Sequence, residues 1–258
     1  MAQQCGLGNF INGSFVSGGT ITLTSKNPSN NFAEVFTVET DLSYVEQAVL
    51  AAKNAAKSWG YLEQWQRNHY LLKLKESFKK NEQRLKDAIS LEMGKIHSES
   101  LAEAQGLSSR IDLTIDKGLT RVKTEELYNL RAKTRYHSQG AMAVVGPYNF
   151  PVHLLNGHVI PSLLTGNTVV VKPSEVCLLT AEIYAQCFSD AEFPPGVFNM
   201  LQGDARISKA LCTHPLVDGV LFTGSYNTGR LLKELLLDQP HKILALEMGG
   251  KNFAVVMD

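Results

Sequence analysis

The sequence predicts an α/β fold: a doubly wound, Rossmann-like parallel sheet with N-terminal helices and small strands. Three observations carry that prediction. From Ala141 onward, short apolar runs alternate with segments of helical periodicity or connecting turns. The runs are Ala141–Val145, Thr168–Val171, Val197–Leu201, Val217–Phe222, Ile243–Leu246 and Phe253–Met257. They lack polar alternation, which suits strands covered on both faces, as in a parallel sheet. The chain before Ala141 reads as small strands followed by amphipathic helices, which need an apolar surface to pack on.

Taken in order, Phe10-Ile11, Ser14 to Val16 and Thr20 to Leu23 are extended segments separated by Asn12-Gly13 and Gly18-Gly19. Asn27 to Asn31 is a turn, and Ala33 to Val38 a further strand. Ser43 with Glu46 has the spacing of a capping box, opening a helix with Val45, Val49, Ala52, Ala56 and Trp59 on one face. Trp65 to Met93 reads as helix with a break near Lys80-Asn81, its inward face carrying Leu72, Leu85, Ile89 and Met93. A more polar helix follows over roughly Ser98 to Val122. The alternation in Arg131 to Arg135 suits an exposed ribbon near residues 131–140. The N-terminal helices are expected to pack on the sheet, giving one unit over residues 1–258.

Composition excludes several classes. The 258 residues are 44% hydrophobic and 19% charged, ordinary globular material with a core to bury. Lys plus Arg and Asp plus Glu number 25 each, so nothing draws the chain to nucleic acid or an anionic membrane. Met1 to Phe10 lacks a signal-peptide layout, and no apolar run approaches a membrane span, so a cytoplasmic location is expected. Cys5, Cys177, Cys187 and Cys212 are too scattered for a metal site and read as small hydrophobes. Cys212, two residues before His214, is the one with a nucleophile's look, although sequence adjacency does not make a catalytic pair.

In doubly wound sheets ligands bind beyond the carboxyl ends of the strands. Those ends carry Gly146-Pro147-Tyr148-Asn149-Phe150-Pro151, then Lys172-Pro173-Ser174-Glu175, then Gln202-Gly203-Asp204, then the turn Gly224 to Gly229, then Glu247-Met248-Gly249-Gly250-Lys251. The turn Gly224-Ser225-Tyr226-Asn227-Thr228-Gly229 lies between a strand and a helix, where unpaired N–H groups can hold a phosphate. Asn149, flanked by two prolines, either donates its amide N–H to a developing oxyanion or satisfies its own turn. Lys172 pairs with a ribose hydroxyl or phosphate, or is a solvated lysine; Glu175, three residues on, can address the same ribose. Glu247, if half-buried, would have a raised pKa and could serve as general base; the alternative is a paired structural glutamate.

These same stretches resemble the NAD(P)-dependent aldehyde dehydrogenase superfamily. The resemblance rests on G-P-Y-N-F-P (Gly146–Pro151), V-K-P-S-E (Val171–Glu175), P-P-G-V-F-N (Pro194–Asn199), F-T-G-S (Phe222–Ser225) and L-E-M-G-G-K (Leu246–Lys251), in order and at matching spacing. Within the family the chain looks most like the succinylglutamate semialdehyde dehydrogenases of arginine catabolism, through Tyr148–Leu154, Asn156-Gly157-His158, Gly224–Gly229 and Lys242–Gly250. The resemblance implies that Asn149 is the oxyanion donor and Glu247 the base that activates water. It further implies that Lys172 and Glu175 hold the adenosine ribose, while Gly224, Ser225, Tyr226, Asn227, Thr228 and Gly229 form the pyrophosphate turn. The cofactor implied is NAD, since Glu175 would repel a 2′-phosphate. The chemistry implied is attack of a cysteine thiolate on a small-molecule aldehyde, hydride transfer to NAD, and hydrolysis to the acid.

In the family, the nucleophilic cysteine lies roughly thirty residues beyond the glutamate, as the attacking thiolate of the mechanism. None of the four cysteines here matches it, so the catalytic domain is expected to be essentially absent from these residues. Homo-oligomers are implied for the full-length relatives. For the 258 residues alone, three outcomes stay open: an inactive fragment, a non-catalytic NAD-binding unit that associates through an exposed face, and one half of a split enzyme.

Overall fold

The computed structural model describes residues 4–250 and 252–257. Strands β1 (Gln4–Cys5), β2 (Asn9–Ile11), β3 (Ser14–Val16), β4 (Ile21–Asn27) and β5 (Ala33–Thr40) come first, then helices α1 (Ser43–Tyr61), α2 (Gln64–Met93) and α3 (His97–Leu113). A π turn over Thr114–Gly118 and a 3-10 turn over Leu119–Val122 carry the chain into a ribbon, β6 (Glu125–Leu127) and β7 (Ala132–Thr134). The alternating unit is β8 (Ala141–Val145), α4 (His153–Leu164), β9 (Thr168–Lys172), α5 (Leu178–Asp190), β10 (Phe198–Met200), α6 (Ala205–Thr213), β11 (Gly219–Thr223), α7 (Tyr226–Leu235) and β12 (Ile243–Glu247).

The main sheet has seven strands in the order β12-β11-β8-β9-β10-β2-β3. The five strands from β8 to β12 pair in parallel, and β2 and β3 close one edge antiparallel. β8 and β9 are buried at every position, as their continuous apolar runs require. Helices α2, α3, α4 and α5 share one core with the sheet, built on Leu71, Leu74, Phe78, Leu107, Val159 and Tyr184. Helices α1, α6 and α7 share the other, with Val49, Ala52, Leu211 and Leu232 against Ala143 and Val220. The N-terminal helices therefore do pack on the sheet. From β8 the chain winds through β9 to β10 on one face, then returns to β11 and β12 on the other. The direction reverses between β8 and β11, which opens a crevice at their carboxyl ends.

Several local expectations are corrected. Helix α2 runs unbroken through Lys80-Asn81. Asn81 is buried, but its amide donates to the Ser77 carbonyl at 3.0 Å and its Oδ1 accepts from Arg84, so the helix need not open to satisfy it. Leu72 points outward, and Leu71 and Leu74 take the inward face. The Ser43–Glu46 capping box does not form. Instead Asp41 accepts from the Ser43 N–H at 3.0 Å and the Thr20 hydroxyl at 2.8 Å, which holds its carboxyl down at about 2. Glu46 pairs with His214 at 2.7 Å. A reciprocal box is found at Glu63 and Gln66, opening α2. The third helix covers the expected stretch, His97 to Val122, but is α-helical only to Leu113 and continues as the π and 3-10 turns. The ribbon lies at residues 125–134 instead of 131–140, because Ala132–Thr134 pairs back onto Glu125–Leu127. Phe253–Met257 is apolar but forms no strand: β12 is the sheet edge, and Phe253 is fully exposed.

Candidate functional site

A cleft of about 1020 Å³ opens over the β8–β11 reversal. Four of the five predicted strand-end clusters line it: Pro147 and Asn149 after β8, Lys172 and Glu175 after β9, Gly224, Ser225 and Thr228 at α7, and Glu247 and Gly249 after β12. The third, Gln202-Gly203-Asp204, does not: Gln202 is buried with its amide on the Leu178 carbonyl, and Ala205 and Ser208 of α6 line the cleft in its place. Tyr226 and Asn227, the first two residues of α7, are exposed beside it. Lys251 lies outside the described residues.

The glycine turn is built by close packing. A Cβ on Gly224 would sit 2.5 Å from the Phe222 ring, and one on Gly229 would sit 2.3 Å from Met248 Sδ. The Gly224 N–H donates to the Glu247 carbonyl at 3.0 Å, which ties the end of β12 to the turn. Ser225 caps α7: its Oγ accepts from the Thr228 N–H at 3.2 Å, and its carbonyl accepts from Gly229 at 3.0 Å. The N–H groups of Tyr226 and Asn227 have no acceptor among the described residues. With the positive end of the helix dipole behind them, they suit a phosphate.

Lys172 is not a solvated lysine. Its side chain is 4% exposed, and its ammonium donates to the Gly203 carbonyl at 3.0 Å and to Glu175 Oε2 at 3.4 Å. An ammonium has three donors, so one is left for a ligand. Burial pushes its pKa below the ordinary lysine range, with the Glu175 carboxylate opposing. Glu175 itself is half-exposed at the cleft. The i, i+3 spacing thus brings together the two groups it suggested.

Asn149 lines the cleft, and its side-chain amide has no hydrogen-bond partner among the described residues, so it does not satisfy its own turn. The loop that carries it is clamped from α2–α3. Glu103, fully buried, accepts from the Val152 and His153 N–H groups at 3.3 and 3.2 Å, capping α4. Lys95 pairs with Glu103 at 2.7 Å and lies 3.5 Å above the Phe150 ring centroid. Glu247 departs from expectation: it stands exposed at the end of β12, not half-buried. Its neighbour is His158 of α4, whose Nε2 is 2.8 Å from the Thr223 hydroxyl. Burial lowers the His158 pKa, and the nearby Glu247 carboxylate pulls the other way.

Sequence reading gave no role to Glu103, Lys95 and Arg110, nor to the slot between α6 and α7 lined by Ser208, Leu231 and Leu235, and it took His158 only as part of the Asn156-Gly157-His158 stretch. The i, i+4 recurrence of Leu231 and Leu235 was a helix-face signal that equally described one wall of a cleft. Cys212 lines the floor of the cleft on this side but is wholly buried, and burial pushes its thiol up to about 12, so it behaves as core. Among the described residues no cluster of His, Cys, Asp and Glu could hold a metal, and no helix is long and apolar enough to cross a membrane. For a dinucleotide the test is positive on three counts: the cleft's size, two unspent N–H groups at a helix start, and a buried ammonium with one free donor.

A model of the aldehyde dehydrogenase family matches residues 15–258. The chain belongs to the aldehyde dehydrogenase family. It is 38% identical to the N-succinylglutamate 5-semialdehyde dehydrogenase of Legionella pneumophila (strain Corby), over 96% of this chain and 50% of that protein. Among solved structures, an aldehyde dehydrogenase from Bartonella henselae superposes with a TM-score of 0.91 at 28% identity, over 96% of this chain and 53% of that one. A mutant aldehyde dehydrogenase C of Pseudomonas syringae, complexed with NAD+ and octanal, gives 0.88 at 28% identity, over 95% and 50%. A 1-pyrroline-5-carboxylate dehydrogenase from Thermus with bound NAD gives 0.86 at 28%, over 96% and 50%. The chain spans about half the length of these family members, and corresponds to their N-terminal half.

Proposed function

We propose that this chain is the NAD-binding part of an aldehyde dehydrogenase whose substrate is N-succinylglutamate 5-semialdehyde, oxidised to N-succinylglutamate. The observation that carries the reading is the meeting of four strand-end clusters in one cleft at the sheet's reversal point, with buried Lys172 paired to half-exposed Glu175 inside it. The named substrate is supported by the 38% identity to the Legionella enzyme.

Bound in this cleft, NAD supplies the hydride acceptor. The chain's own residues divide the remaining work. The first turn of α7, opened by Gly224 and Ser225, takes the pyrophosphate, and Gly229 lets Met248 close against it. Lys172 donates its free N–H to the adenosine ribose and Glu175 accepts from it, which selects against a 2′-phosphate by charge repulsion. Asn149 offers an unspent amide N–H₂ to an oxygen that gains charge, pre-positioned by the Glu103 and Lys95 clamp. Glu247, exposed and beside His158, can take a proton from water.

A second reading, favoured by the cysteines, is that these residues form a non-catalytic NAD-binding unit or one half of a split enzyme. Cys177, Cys187 and Cys212 are buried with raised thiol pKa values, and Cys5 lies in a separate three-stranded sheet. Buried thiols are poor nucleophiles. The 258 residues alone are therefore expected to form no NADH from the semialdehyde and NAD, followed by absorbance at the nicotinamide band. Turnover at an ordinary enzyme rate would show that one of these four thiols is the nucleophile. Self-association, as in the homo-oligomers implied for full-length relatives, belongs to the same proposal, supported by the exposed apolar run Phe253, Val255, Val256 and Met257.

A further inference from the structure

Arg110 lies on the α3–α4 side of the cleft, in the last turn of α3, and is half-buried. Its guanidinium reaches over α4: a Cβ built on Gly157 would be 4.0 Å from Arg110 Nη2. It is also close enough to His153 to help depress that imidazole's pKa, after burial. No carboxylate among the described residues pairs with it. Glu103 is spent on Lys95 and the α4 N–H groups, and Asp112 on Lys75. A partly buried guanidinium with five donors and no acceptor is costly unless something else meets it. A favourable place at a helix C-terminus offsets only part of that cost. Gly157 presents no side chain, which leaves space between the guanidinium and the Asn149 loop. The group that best fits an unpaired, planar fork of donors is a carboxylate, held bidentately.

We propose that Arg110 is a specificity-determining residue: its guanidinium binds a carboxylate carried by the aldehyde substrate, so that the cleft selects anionic aldehydes over neutral ones. The assignment rests on reading the cleft as an aldehyde dehydrogenase site. N-succinylglutamate 5-semialdehyde has two carboxylates remote from its aldehyde, so it can address Asn149 and Arg110 together.

The test is a titration of the 258-residue chain, with and without NAD, using as probes N-succinylnorvaline, a diacid that keeps the semialdehyde's two carboxylates and has a methyl group in place of the aldehyde, and its uncharged dimethyl ester. Binding is followed by NMR at the arginine Nε–H resonances and the backbone amides of Tyr148 to Phe150. The diacid is expected to shift the Arg110 signal and saturate, and the diester to do neither. Arg110→Met should weaken diacid binding by roughly tenfold or more, about 1.4 kcal/mol, with Arg110→Lys between. NAD affinity and melting temperature should be the same in both variants as in the unmodified chain, which separates lost recognition from lost folding. Equal diacid binding by the chain and Arg110→Met, diester binding as tight as diacid, or NAD binding with no diacid binding at all would each overturn the proposal. If NAD fails to bind while the diacid result holds, the reading of the cleft falls and Arg110 stands as a carboxylate site.

Discussion

Replacing Glu92 by alanine will destabilise the protein by about 3–5 kcal/mol, a large share of the roughly 5–15 kcal/mol that holds a domain folded. Glu92 is buried near the end of α2, and its carboxylate accepts from the Leu179 and Thr180 N–H groups at 2.9 Å each and from the Thr180 hydroxyl at 2.7 Å. These are the orphan donors of the first turn of α5. Alanine strands all of them in a dry interface and leaves a cavity between two helices of the core. Glu92→Gln keeps the shape and one acceptor oxygen, and should cost less than half as much. The pH dependence has a definite sign. Burial raises the Glu92 pKa above its ordinary 4.5, outweighing the hydrogen bonds that lower it. Between that value and the raised one the folded state holds more protons than the unfolded state. This group's contribution to stability is therefore full below 4.5, falls as pH rises through the raised pKa, and is level above it. Denaturant unfolding at several pH values should show that slope in the unmodified protein and not in Glu92→Gln.

Lys172→Met will weaken NAD binding by roughly 30- to 100-fold, about 2–3 kcal/mol, the worth of a charge-assisted hydrogen bond made from a buried site. The loss has two parts. The ribose loses its cationic donor, and the Gly203 carbonyl, now without the 3.0 Å bond from Nζ, no longer fixes the loop after β10. Quenching of bound NADH fluorescence measures the change, with thermal melting to separate misfolding from lost contact. A Kd within threefold of the unmodified protein would remove Lys172 from the cofactor site.

The sheet was readable because β8, β9 and β11 are apolar at nearly every position and each ends in glycine, proline or a charge. Lys172 and Glu175 were readable because three residues after a strand end keep two side chains within reach of each other. Phe253–Met257 has the same apolar look, yet a strand requires a neighbour as well as a pattern, and none is paired with it. Asn81 looked like a helix break because its cost in a helix is local, whereas its compensation by Arg84 and by Asp190, 3.4 Å away, is tertiary. The residues missed at the site share this character. Glu103 and Lys95 act on a loop about 50 residues further along, and Arg110 faces Gly157 of α4, through side chains whose local sequence describes only solvated helix faces. Glu247 was placed correctly at its strand end, but its burial depended on what lies beside β12, an edge strand.

Calorimetric titration of the 258-residue chain with NAD and with NADP decides whether the cleft over the β8–β11 reversal is a NAD site. The expected result is one saturable site for NAD, a rise in melting temperature as it fills, and NADP weaker by roughly tenfold or more, since a ribose held by Lys172 and Glu175 would bring a 2′-phosphate against the Glu175 carboxylate. No heat and no thermal shift with either dinucleotide would contradict the account.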